Sequence, residues 1–109
     1  MLPLFSILLF SALSHASDGS QLYGQHCAAC HGQYAERHAW NVTSPIAGWK
    51  PDAVKQALLG YKSNNRDRYG YGAYMHPQVS KYTAEEIDAI ARYIYSLGGT
   101  HQQETPPSE

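Results

Sequence analysis

The apolar positions of this chain fall into one nearly continuous run and three helical stretches. The run lies in residues 1–16, MLPLFSILLFSALSHA, where only Pro3 and two serines interrupt the stretch from Leu2 to Leu13. Beyond it, Ile87, Ile90, Ala91, Ile94 and Leu97 recur at helical spacing. Thr83 and Glu86 in front of them form a capping-box pair. Gly98 stands where a helix takes a left-handed C-terminal residue. A second stripe, Val54, Ala57, Leu58 and Tyr61, predicts a helix over Pro51–Lys62, with Pro51 at its first position and Asp52 in its first turn. A third helix is expected to start near Asp18, with Gln21 in capping-box position and Leu22 and Tyr23 on its way to Cys27. No segment alternates convincingly as a strand does, and no internal repeat is visible. Residues 32–50 and 64–82 lack periodicity and read as loops. Unpatterned loops of that length are unusual in a small domain, and wrapping a large ligand would explain both.

The apolar run changes how the rest is counted. Ser14 and Ala16 occupy the two positions that a signal peptidase reads, so residues 1–16 predict a secretory signal peptide cut after Ala16. No Lys or Arg precedes the run, but it is well short of the ~20 apolar residues of a spanning helix. We therefore expect export and no permanent membrane insertion. Removing sixteen of 109 residues leaves 93, one thin-cored domain over 17–98. The polar tail over 99–109, with Pro106 and Pro107, is expected to be disordered. The eight Lys+Arg and nine Asp+Glu give a net charge of -1, which offers no reason to expect a nucleic-acid partner. The two cysteines are only three residues apart, and a bridge between them would close a tiny loop of little value to stability.

Cys27-Ala28-Ala29-Cys30-His31 supplies a better use for them. C-x-x-C-H is a haem attachment sequence. Each thiol can bond one vinyl group of a haem, and the next histidine then lies under the iron as an axial ligand. Three other readings remain open: a thioredoxin-like dithiol, which needs a preceding strand; a zinc site drawing on His26, His31 and His38; and a plain disulfide. For the sixth iron position Met75 is the first candidate, because methionine commonly partners histidine in such proteins and raises the potential. His76 is its neighbour and competitor, with His26 and His38 behind it. Trp49 and the tyrosines at 69, 71 and 74 are candidates to wall the haem and to hydrogen-bond its propionates. Lys62, Arg66 and Arg68, with Asp67 among them, could steer an acidic partner or form an ordinary solvated face.

With these residues in order, the chain resembles the class I c-type cytochromes, most closely the small monohaem cytochromes of bacterial periplasms. The likeness covers nearly all of residues 18–98. Gly19 and Tyr23 match the small and aromatic positions of the family's first helix, and Ile90 with Tyr93-Ile94 matches its last. Pro45-Ile46-Ala47-Gly48 resembles the stretch whose proline carbonyl accepts a hydrogen bond from the proximal histidine. Met75-His76-Pro77 resembles the stretch holding the axial methionine. The resemblance implies an all-α, small cytochrome c fold, with three main helices and long irregular loops around one covalent haem c. It implies His31 and Met75 as iron ligands, Cys27 and Cys30 as thioethers, and the Pro45 carbonyl as the partner of His31. The expected function is that of a monomeric, periplasmic single-electron carrier with no catalytic residues. Its partners would be an oxidase, dehydrogenase or reductase. The alternatives are a haem-bearing subunit docked on a larger enzyme, or a ligand-binding haem protein in which Met75 is not on iron.

Overall fold

Thr83 starts the helix that organises the molecule. Its side chain accepts from the Glu86 amide at 3.1 Å, and the Glu86 carboxylate accepts from the Thr83 amide at 3.0 Å. Two of the otherwise unpaired first-turn donors are thus satisfied reciprocally. In the computed structural model, which describes residues 18–41 and 43–99, this helix is the last of five. They are α1 (Gly19–His26), α2 (Ala28–His31), α3 (Pro51–Lys62), α4 (Gly72–Val79) and α5 (Ala84–Ser96). Short 3-10 turns occupy Ala39–Asn41 and Leu97–Gly99, and the described residues contain no strand. The expected signal peptide and all but the first residue of the expected tail lie outside the described residues.

The three predicted helices form where the stripes put them. Ile87, Ile90, Ala91, Ile94 and Leu97 are all buried, as are Val54 and Leu58 of α3 and Leu22 and Tyr23 of α1. Asp18 caps α1 by accepting from the Ser20 amide at 2.9 Å. The helices α1 and α3 both pack on α5. At the first crossing, a Cβ on Gly19 would lie 2.2 Å from the Ala89 carbonyl oxygen. The glycine is what lets the two backbones approach. One turn further on, the Tyr23 and Tyr93 rings meet at 5.4 Å. The Tyr23 hydroxyl donates to the Gly32 carbonyl at 2.6 Å, and the Tyr82 hydroxyl donates to the Leu22 carbonyl at 3.0 Å. Both phenols are buried, and each hydroxyl finds a backbone carbonyl, that of Gly32 beyond the end of α2 and that of Leu22 within α1. Asp88 of α5 bridges Lys55 of α3 at 3.2 Å and Arg92 at 2.9 Å. These are surface pairs, worth about 0–1 kcal/mol.

Two expectations need correction. The segment 64–82 is not all loop, because it contains α4. An eight-residue helix with Gly72 at its start and Pro77 inside carries no apolar stripe to announce it. It forms because Asp67 Oδ1 accepts from the Gly72 amide at 2.8 Å and because its neighbours hold it. Gly98 is not the left-handed cap of α5. The helix instead tightens into the 3-10 turn Leu97–Gly99. The missing side chain at Gly98 serves packing, since a Cβ there would lie 2.5 Å from the Gly48 Cα. Gly48 is doubly constrained, with a φ of 80° and a Cβ that would fall 2.9 Å from the Gly98 Cα.

Gly19→Ala should therefore destabilise the protein by about 1–3 kcal/mol, as an added methyl does in a packed interface. Gly24→Ala lies in the same helix with nothing within 4 Å of the new methyl, and should stabilise by about 0.5–1 kcal/mol. Urea midpoints of the two variants check both signs.

Candidate haem site

The helix α1 ends because Cys27 leaves helical geometry, at φ −111° and ψ −40°, before the single turn of α2. This break turns Cys27 inward while Cys30, three residues on, stays exposed. Both open onto one cleft of ≈ 1130 Å³, its open mouth included. Its walls are apolar side chains from α3 and α5, chiefly Val54, Leu58, Ile90 and Ile94, closed by Ile46 and Trp49. His31 lines it from the cysteine side and Met75 from α4. The structure thus brings Trp49 and Met75, distant along the chain, onto the same cleft as Cys27, Cys30 and His31.

His31 is half-buried, and its Nδ1, itself shielded from solvent, has no hydrogen-bond partner. Burial pulls its pKa below the ordinary imidazole value. The ring is held neutral, which is the form that binds metal. Burial, then the neighbouring Cys30, pushes the Cys27 thiol up to about 12. A thiol that stays protonated at neutral pH is a poor redox nucleophile, which argues against the dithiol reading, as does the helix, rather than a strand, that leads directly into Cys27 among the described residues. Nor do three His, Cys, Asp or Glu side chains group as a metal site among the described residues. A deep apolar cleft, two thiols at its edge and a half-buried neutral imidazole with an unsatisfied nitrogen fit a covalently held haem.

Other expectations resolve as follows. His76 does not line the cleft. Its Nδ1 lies 2.8 Å from the Tyr61 carbonyl, and because a carbonyl only accepts, Nδ1 carries the proton. His38 Nδ1 is likewise 3.0 Å from the Thr43 carbonyl, on an exposed loop. His26 does face the cleft, edge-on to Tyr82 at 5.6 Å. Tyr69, Tyr71 and Tyr74 line the cleft as expected. The hydrogen bond expected between His31 and the Pro45 carbonyl is not formed here. That carbonyl receives the Trp49 indole N–H at 3.1 Å. The basic cluster is no free docking face. Lys62 donates to the Tyr82 carbonyl, Asp67 caps α4, and the Arg66 guanidinium lies 5.4 Å from the Tyr61 ring centroid and lines the cleft.

Sequence reasoning missed Trp40, Arg66 and Gln78 as lining residues. Reading α4 as a helix would have shown Tyr71, Met75 and Gln78 on one face, at i, i+4 and i+7. Trp40 carried no such signal.

Comparison with known proteins agrees with the geometry. The family model described as Cytochrome c matches residues 16–98. Cytochrome c-553 of Nitratidesulfovibrio vulgaris is 34% identical over 86 residues, covering 75% of this chain and 78% of the relative. Cytochrome c-553 of Helicobacter pylori strain J99 is 29% identical over 91 residues, covering 84% and 90%.

The two buried phenols give the site a pH signature. Burial, then Cys27 and Glu86, pushes the Tyr82 hydroxyl from 10.0 up to about 12, and burial raises Tyr23 further. The contribution of Cys27 falls away once its sulfur is a thioether, while that of burial stays. The folded state then keeps protons that the unfolded chain releases. Stability should be full below pH 10 and fall from there to about pH 12. Tyr82→Phe should flatten that fall in urea midpoints measured across the same range.

Proposed function

The chain belongs to the cytochrome c family, and from that premise we propose that it is an exported single-electron carrier with His31 and Met75 as its two iron ligands. Membership brings one covalently bound haem c, whose iron supplies the one-electron couple. The residues proposed here do the rest. Cys27 and Cys30 anchor the group by thioether bonds at the point where α1 breaks into α2. The half-buried His31 and Met75 line the same cleft, and that shared lining is the observation that carries the reading. Two permanent ligands let the iron change charge without gaining or losing a bond, which keeps reorganisation small. Methionine opposite histidine raises the potential relative to bis-histidine ligation. His76 is engaged with the Tyr61 carbonyl and outside the cleft, which favours Met75 as the ligand.

The apolar walls exclude water and so favour the less charged ferrous site. The Pro45 carbonyl retains a second lone pair beside the Trp49 N–H, enough to accept from His31 once the haem orients that ring. Export to the periplasm rests on residues 1–16 and agrees with the attachment motif. No helix of the described residues is long and apolar enough to cross a membrane. The partner is a redox protein, an oxidase, dehydrogenase or reductase, met in a weak and short-lived encounter at the cleft mouth.

Visible and near-infrared spectra of the holoprotein test the ligands. The ferric parent should show the sulfur-to-iron charge-transfer band, Met75→Ala should lose it with a lower potential, and His76→Ala should keep it. A band that survives Met75→Ala overturns the assignment. A parent without the band, binding carbon monoxide readily, would point to an open ligand-binding site instead.

A further inference from the structure

Trp40 stands where a bulky residue is costly. Its φ of 57° and ψ of 20° are left-handed, a conformation in which large side chains are outliers. Burial does not explain why the backbone accepts this, because the side chain is 55% exposed. What the conformation delivers is ring contact. The Trp40 indole lies parallel to the Tyr71 ring, 5.7 Å away with 2° between planes, and 5.3 Å from the Tyr74 ring. The two tyrosines are themselves 5.8 Å apart, and all three line the cleft.

The contact joins two parts of the site. Trp40 lies in the segment that follows His31. Tyr71 and Tyr74 lie at the start of α4, and Tyr74 immediately precedes Met75. The helix α4 needs outside support, since eight residues with an internal proline would not stay helical alone. Asp67 holds its first amide, and His76 ties it to α3 through the Tyr61 carbonyl. The aromatic group supplies the hold from the His31 side.

We propose that Trp40 is a positioning residue, whose ring clasps Tyr71 and Tyr74 and so keeps α4 seated with the Met75 sulfur on the iron. The inference rests on the His31/Met75 reading above. It assigns a role to strain that burial leaves unexplained: the left-handed backbone at Trp40 aims the ring across the mouth of the cleft.

Imidazole displacement of Met75 from the ferric holoprotein tests it. At saturating imidazole the observed rate levels off at the rate at which methionine leaves the iron. A residue that merely shielded the cleft would alter the slope at low imidazole and leave this plateau alone. The variants are Trp40→Gly, Trp40→Phe, Tyr74→Leu and, as a control, Tyr95→Ala, which removes an exposed ring outside the cleft. Loss of two ring pairs should raise the plateau about tenfold in Trp40→Gly. Tyr74→Leu should move it the same way, Trp40→Phe should restore most of it, and Tyr95→Ala should leave it unchanged. The urea midpoint of Trp40→Gly should stay near the parent's, because glycine relieves the left-handed strain. Parental plateaus in both Trp40→Gly and Tyr74→Leu overturn the clasp while leaving the ligand assignment intact. A parent that lacks the near-infrared band overturns the ligand assignment first, and the clasp with it.

Discussion

The central cleft is lined by apolar side chains of the core itself, and most of the architecture follows from that. Val54 and Leu58 of α3 pack with Ile90 and Ile94 of α5 in one cluster, and together they present an apolar wall that a domain of this size cannot leave to water. The haem serves as the missing core, and covalent attachment prevents its loss even though the surrounding protein is thin. The surrounding elements then act mainly as holders. The α1–α5 crossing at Gly19 sets the frame, α3 closes one wall, and α4 brings Met75 to the cleft while contributing little core of its own.

The legibility of the chain divides along the same line. The helices α3 and α5 were readable because each has a start signal and a stripe, and those stripes are buried. The attachment motif was readable because its spacing is dictated by haem chemistry. Met75 could be singled out as the lone methionine after residue 16, yet its helix could not. Gly72 and Pro77 suppress every local signal of α4, and its supports lie elsewhere: Asp67, the Tyr61 carbonyl and the Trp40 ring. Gly98 was misread for a related reason. A glycine after a helical stripe looks like a cap, whereas this one is required by a backbone from another part of the chain. Trp40 was invisible as a functional residue because its partners lie some thirty positions away.

Charge is spent sparingly around the cleft. Among the described residues Arg66 is the one Lys or Arg that lines it and no Asp or Glu does, and the Arg66 guanidinium is backed by the Tyr61 ring. In such surroundings a single fixed charge counts for more than several would on the surface. Of the residues that looked like a basic docking face from sequence, Lys62 satisfies the Tyr82 carbonyl, Asp67 caps α4 and Arg66 lies over the Tyr61 ring.

The contact between Gly48 and Gly98 has a consequence for how this protein can diverge. Ordinary interior contacts evolve by exchange: one side chain grows while its neighbour shrinks. Here the meeting atoms are the two Cα positions themselves, so neither site has anything left to shrink. A substitution at one cannot be rescued by a change at the other, and any escape must move the backbone that carries Pro45 and Trp49 relative to the end of α5. Drift in such a lineage would be free almost everywhere on the surface and frozen at this one joint.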